Sequence, residues 1–95
     1  MMGHMPIKLE RVAKEELDKE ILRVGIIAEL DAINLYEQMA ALTDNQHIKM
    51  ILLDIAKEEK THVGEFQALL LQMDRQQGKE LAAGKEEVDE LTGKK

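Results

Sequence analysis

Glu59 and His62 lie three positions apart in the segment AKEEKTHVGEF, residues 56–66. On an α-helix, a carboxylate and an imidazole at this spacing project from the same side, where both can bind one metal ion. Steps of three and four residues also place the pair on a stripe that is otherwise apolar. The apolar members of this stripe are Leu52, Ile55, Ala56, Val63 and Phe66. Two polar side chains on a face that packs inward need a chemical reason to be there.

A second stripe, in the first half of the chain, carries a single carboxylate, Glu29. Its other members are Leu22, Gly25, Ile26, Ala32, Ile33 and Tyr36. Glu29 lies about 14 residues before the break LTDNQH and Glu59 about 14 after it, so both lie about 21 Å from the turn of an antiparallel hairpin. We therefore predict that Glu29 faces Glu59 and His62.

Two carboxylates that face each other on buried stripes require a positive partner, because an isolated buried carboxylate costs several kcal/mol or stays protonated. No Lys or Arg lies on either stripe, which leaves a metal ion or an ordered water network. The chain has no cysteine, so disulfides, iron–sulfur clusters and thiolate zinc sites are excluded. Oxygen and imidazole donors suit iron, manganese or zinc rather than copper(I).

Two long helices are predicted to position these residues. Between Val12 and Gln77 only Gly25 and Gly64 weaken a helical pattern, and the break is LTDNQH, where Thr43 is predicted to cap the second helix. We predict helices over about residues 14–42 and 45–76, folded as an antiparallel hairpin within 13–77. Gly78 is predicted to end the second helix.

The two ends of the chain lack a strong pattern. Residues 1–12, which include GHM, are expected to be disordered or derived from a tag. Residues 78–95 are polar and punctuated by glycine, so a short helix, a linker or a disordered tail would each fit.

Apolar residues nearly encircle both predicted helices, and a single hairpin would leave many of them in water. Such patches mark interfaces, so we predict an all-α chain whose hairpin dimerises into a four-helix bundle. A two-fold axis would then supply one Glu from each of two helices and Glu-x-x-His from each of the other two. This is the ligand set of di-iron carboxylate bundles.

Length and charge exclude several function classes. The 95 residues form one small domain, and the net charge of −6 favours cations over nucleic acid as partners. No apolar run approaches the roughly 18 residues that a membrane span needs. The N-terminus also lacks the apolar core of a signal peptide.

The segments AELDAINLYEQMA and DIAKEEKTHVGEF resemble those of the encapsulated ferritins, ferritin-like proteins housed inside encapsulin nanocompartments, and particularly their archaeal members. The resemblance covers about residues 14–76. It implies a ferroxidase with a di-iron centre built from Glu29, Glu59 and His62 of two subunits, with Tyr36 adjacent. It also implies a ring of five dimers, that is a homodecamer, and a cytoplasmic location inside the nanocompartment. Because archaeal relatives can be fused to the shell protein, residues 78–95 are a candidate link to that shell.

The chain departs from the common bacterial pattern of this family at Ala28 and Leu35, where an acid and an aromatic residue are usual. Asp31 is then the one acid that matches the family's second metal site, at the entrance of the ring. The C-terminal LTGKK does not match an encapsulin-targeting peptide.

Two other functions fit the same residues. One is a different di-metal redox enzyme on the same bundle, such as a rubrerythrin-like peroxidase or a manganese catalase. The other is a metal-free helical assembly module in which the polar stripe residues only set the register. Tyr36 could hydrogen-bond a ligand carboxylate or donate an electron, or it could simply fill the end of the bundle.

Overall fold

The computed structural model describes residues 14–94, which form three α-helices and no strand. Helix α1 spans Lys14–Leu42, α2 spans Gln46–Met73 and α3 spans Arg75–Thr92. The all-α prediction is confirmed, and the predicted bounds of the first helix coincide with those of α1. The expectation for residues 1–12 lies outside the described residues.

Helices α1 and α2 pack side by side as the predicted antiparallel hairpin. The register is visible in two contacts: Glu29 meets His62, and the Phe66 ring lies against Gly25. Moving four residues forward along α1, from Gly25 to Glu29, thus corresponds to moving four residues back along α2, from Phe66 to His62. All members of both predicted stripes are buried or half-buried. The buried apolar side chains of the described residues are Leu22, Ile33, Ala40, Ala56 and Leu70.

Asn45, not Thr43, caps the start of α2, which corrects the sequence prediction. The Asn45 side chain accepts hydrogen bonds from the backbone N–H groups of His47 (2.9 Å) and Ile48 (3.0 Å). The Thr43 hydroxyl accepts instead from the backbone N–H of Asn45, at 3.2 Å. Asn is the stronger N-cap residue, and the Thr43 bond tightens the turn that precedes it.

Asp74 is the single non-helical residue between α2 and α3. Its side chain accepts from the backbone N–H of Gln77 at 3.0 Å, which caps α3, and from the Arg23 guanidinium of α1, also at 3.0 Å. The prediction that Gly78 ends the second helix is therefore wrong, because Asp74 starts a new helix four residues earlier. Asp followed by Gln three residues later is a helix-start pattern that the sequence contained.

Most of the polar segment at the end of the chain lies in α3, a helix of 18 residues. It ends at Gly93, whose φ of +74° lies in the left-handed region that favours glycine. Helix α3 makes far fewer contacts with α2 than α1 does, and its apolar residues Leu81, Val88 and Leu91 remain exposed.

More large apolar side chains are exposed than buried in the described part of the chain. They are Ile21, Leu30, Leu35, Leu42, Ile48, Met50, Ile51, Leu53, Leu69, Met73, Leu81, Val88 and Leu91. None of the described helices is both long and apolar enough to cross a membrane. A surface of this kind on a chain with so small a core is typical of a subunit that buries it against another protein.

Replacing Asn45 with Ala should destabilise the hairpin by about 1 kcal/mol, because two N–H groups at the start of α2 lose their acceptor. Urea unfolding at fixed protein concentration measures the loss. Asn45→Asp keeps a side-chain oxygen at the same place and should stay close to wild type. Equal losses in the two variants would contradict the capping role.

The Asp74 carboxylate should stabilise the fold in a pH-dependent way. Its pKa is lowered by the hydrogen bond from the Gln77 backbone and further by Arg23 and Lys19. The folded-state pKa of Asp74 lies below its unfolded-state pKa. The stabilisation is therefore complete at pH values above the unfolded-state pKa, and it is lost as the pH falls through the folded-state pKa. Asp74→Asn retains a capping oxygen but no charge.

Thermal unfolding of wild type and Asp74→Asn should therefore differ at neutral pH and converge in strong acid. A difference that persists unchanged at a pH below the folded-state pKa would contradict the ionic contribution of Asp74.

Candidate metal centre

The three side chains predicted to share a site come together in the middle of the hairpin. Glu29 projects from α1, and Glu59 and His62 project from α2, one helical turn apart. One ligand atom from each of them lies within 4.8 Å of the other two. The equal distance of Glu29 and Glu59 from the turn, deduced from the sequence, therefore places them at one level of the hairpin.

His62 lies between the two carboxylates. Its Nδ1 atom lies 3.2 Å from Oε2 of Glu29, within hydrogen-bond distance, and 3.7 Å from Oε2 of Glu59. The same ring nitrogen thus points toward both acids. An ion that accepts one oxygen from each carboxylate could also accept this nitrogen.

The crowding of acids shifts proton affinities at the site. The pKa of His62 is raised, chiefly by its hydrogen bond to Glu29 and then by the negative charges of Glu29, Glu59 and Glu65, against the opposing effect of desolvation. The pKa of Glu59 is raised because its carboxyl shares a hydrogen bond with Glu29, because it is partly desolvated and because Glu29 is negative, although His62 opposes this. Raised pKa values favour the protonated forms at the place where a cation would relieve the same repulsion, so protons compete with a metal ion for these groups.

The site is half open in the single chain, which qualifies the expectation of a dry interior. The side chains of Glu29 and Glu59 are 19% and 18% exposed, whereas that of His62 is 43% exposed. No polar or charged residue of the described chain is fully buried. Helix packing therefore covers the acids from one side and leaves the imidazole facing outward.

The two aromatic residues of the chain lie on opposite sides of this cluster. Phe66 lies one turn from His62, farther from the hairpin turn, and its ring packs against Gly25 of α1. Tyr36 is half-buried on the Glu29 stripe, about 10 Å nearer the hairpin turn along α1. At that separation Tyr36 is not a ligand of the same cluster, and its predicted hydrogen-bond or electron-transfer role remains a prediction.

The periodicity of the sequence assigned Gly25 and Phe66 to stripes that face the other helix, but it did not predict that they contact each other. A glycine within an otherwise apolar helical stripe was the available signal, because it often marks a close approach of another element.

The other acidic residues lie around the cluster rather than in it. Asp31, the predicted entrance-site residue, is half-buried two residues after Glu29, on a different face of α1. Glu37 is exposed and pairs with Lys60 across the hairpin at 2.9 Å. Glu58 and Glu65 are exposed on α2. Ala28 and Leu35, the departures from the bacterial pattern, are both exposed.

The donor set fits a first-row metal ion such as iron or manganese. Two carboxylates and one imidazole supply hard oxygen and borderline nitrogen donors, with no thiolate to favour a soft ion. Three protein donors leave coordination positions free, and the exposed side of the cluster provides space for further ligands. The raised pKa values of His62 and Glu59 are the electrostatic mark of a site that attracts positive charge.

The sequence model of the Rubrerythrin family matches residues 20–93. The chain is 65% identical over 80 residues to a Pyrococcus furiosus protein named ferritin-like-encapsulin shell fusion protein. It is 39% identical over 69 residues to the encapsulin nanocompartment cargo protein EncC of Myxococcus xanthus. These matches cover 84% and 70% of this chain but 23% and 53% of the relatives, so the chain spans about a quarter of the first protein and half of the second.

The fold is similar to the crystal structure of the encapsulated ferritin domain from Pyrococcus furiosus. The two chains share 54% sequence identity with a TM-score of 0.84, over 98% of this chain and 97% of the other. The likeness thus extends over all three helices and over the segment that carries Glu29, Glu59 and His62. The chain belongs to the rubrerythrin family and, within it, to the encapsulated ferritins.

Proposed function

We propose that the protein is a ferroxidase that oxidises Fe(II) to Fe(III) with dioxygen at a di-iron centre shared by two subunits. The observation that carries this proposal is the convergence of Glu29, Glu59 and His62 within 4.8 Å, on a side of the hairpin that stays open. Membership of a ferritin-like family supports an iron-related function.

Each of the three residues has a distinct part in the proposed reaction. The carboxylates of Glu29 and Glu59 hold the two Fe(II) substrates and favour the higher charge of Fe(III), because anionic oxygen binds a trivalent ion more strongly. The imidazole of His62 binds through a neutral nitrogen, so its raised pKa makes protonation of the ring compete with iron binding. Each of the two iron ions gives one electron to the same dioxygen molecule, which takes up two protons and leaves as hydrogen peroxide.

A second copy of the chain would complete the centre. One hairpin offers two carboxylates and one imidazole, which is too few for two metal ions, and His62 faces outward. A two-fold axis beside the cluster would add Glu29, Glu59 and His62 of the second copy. The same pairing would cover part of the exposed apolar surface and close a four-helix bundle.

Iron storage requires an enclosing partner, since a small helical assembly has no closed cavity of its own. The names of the two curated relatives describe a shell fusion and a cargo protein of encapsulins, which supports an encapsulin shell as that partner. We therefore include in the proposal a location inside an encapsulin nanocompartment and the decameric ring expected from the resemblance. An entrance site at Asp31 belongs to the same proposal, and so does a link to the shell through residues 78–95.

Ferroxidase activity should depend on the three ligands and not on nearby acids. Glu29→Ala and His62→Ala should each slow aerobic Fe(II) oxidation by at least about tenfold, because each removes a donor from both halves of the centre. The absorbance of Fe(III) after mixing with Fe(II) measures the rate. Glu58→Ala, which removes an exposed acid beside Glu59, is the matched control and should oxidise at the wild-type rate.

The three candidate functions give different results in this assay. Rates that are equal in all variants would favour a metal-free assembly module. Oxidation that requires hydrogen peroxide and does not proceed with dioxygen would indicate a rubrerythrin-like peroxidase instead.

Metal content and subunit number should rise together. Native mass spectrometry with elemental analysis of the iron-loaded protein should give an even number of chains and about one iron per chain, since two chains bind two ions. His62→Ala should lose iron. A monomer that binds the full complement of iron would contradict the shared centre.

A further inference from the structure

Gly25 lies within α1 at a point where the Phe66 ring of α2 packs closely against it. A Cβ atom built on Gly25 would lie 3.2 Å from each of three atoms of the Phe66 ring, Cδ2, Cε2 and Cζ. Carbon atoms in ordinary packing contact are about 3.5–4.0 Å apart. The Phe66 ring therefore occupies the space that any other side chain at position 25 would need.

This contact lies one helical turn from the candidate metal centre on both helices. Gly25 precedes Glu29 by four residues, and Phe66 follows His62 by four residues. Continuous helix joins each pair, so the Gly25–Phe66 contact and the Glu29–His62 contact belong to the same two rigid segments. A change in the spacing of the helices at one contact must appear at the other.

The size of such a change matters for metal binding. A methyl group at position 25 would require the ring or the helix to move by a few tenths of an ångström. Metal–ligand distances in protein sites lie within about 0.2 Å of their ordinary values. A shift of a few tenths of an ångström is comparable with this range of metal–ligand distances. It would arise one helical turn from Glu29 and His62, which bind the same ion from facing helices in the proposed centre.

Among the glycines that the structure describes, only Gly25 shows this close approach. A Cβ atom on Gly64 or Gly84 would have no atom within 4 Å, and one on Gly78 would meet only Leu71, at an ordinary 3.7 Å. Glycine weakens the interior of a helix, so its presence in α1 calls for a packing reason, and Phe66 supplies one.

We propose that Gly25 is a positioning residue for the metal centre: by lacking a side chain, it lets the Phe66 ring pack directly on α1. This contact fixes the separation at which Glu29 faces Glu59 and His62. The inference rests on the proposed function, because it takes these three residues as the metal ligands.

Cobalt(II) binding to the complete chain tests the proposal without relying on catalytic activity. Affinity is measured by calorimetric titration, and ligand geometry is measured by the visible absorption of bound Co(II). Gly25→Ala should weaken binding by about tenfold and alter the absorption bands, as expected when a residue that orients the ligands is changed. Gly25→Ala combined with Phe66→Leu should recover binding to within about threefold of wild type.

Gly64→Ala is the matched control. It adds the same methyl group to the interior of α2, in open space and on the side of the helix opposite His62, and should leave Co(II) affinity and spectrum unchanged. Circular dichroism checks that every variant is helical. If Gly25→Ala does not fold, Phe66→Leu alone decides, since loss of the ring should also weaken binding.

The outcomes separate the two proposals. Tight Co(II) binding by wild type, with the same affinity and spectrum in folded Gly25→Ala or in Phe66→Leu, would overturn the positioning role and leave the proposed function intact. A wild-type protein that binds no Co(II) would overturn both.

Discussion

The packing of α1 against α2 forces two carboxylates, Glu29 and Glu59, to face each other, and this repulsion is the constraint around which the hairpin is organised. Like charges at this separation are tolerated only if a proton or a cation lies between them. Within a single chain, the imidazole of His62 lies within hydrogen-bond distance of Glu29, and the pKa of Glu59 is raised. A hairpin optimised for stability alone would have apolar residues at these positions, as it has on the rest of both stripes.

Many of the large apolar side chains in the described part of the chain lie on its outer surface rather than between the helices. Only a few side chains, such as Leu22 and Ile33, are buried between the helices, while many Leu, Ile and Met residues face outward. The described part of a single chain therefore has a small core and, under the proposed function, too few ligands for two metal ions. Association with a second copy would address both deficits, and this is why the proposed dimer and the proposed chemistry depend on each other.

The periodicity of the sequence predicted the hairpin and the convergence of Glu29, Glu59 and His62, because both depend on the same spacing of three and four residues. The level at which Glu29 and Glu59 meet followed from their equal distances to the turn. Helix ends were predicted less well, since they depend on competition between neighbouring polar groups. Thr43 and Asn45 are both suitable caps, and only the backbone geometry decides between them.

The helical state of α3 was also open in the sequence, because glycines and charged residues suggested flexibility more strongly than Asp74 suggested a helix start. The Gly25–Phe66 contact could not be predicted from the sequence, for a different reason. Periodicity assigns residues to a face, but it does not show which two side chains on facing helices touch. The interhelical distance that makes Gly25 necessary arises only when both helices are packed together.

The junction at Asp74 has a mechanical consequence. Helix α3 extends about 25 Å from Asp74 to Leu91. A rotation of about 10° at the junction would therefore displace Leu91 by about 4 Å. The hydrogen bonds that Asp74 accepts from Gln77 and Arg23 restrain this junction, where a small change of angle is amplified along the whole of α3. Besides stabilising the fold, this aspartate therefore helps to set the direction in which the last helix extends.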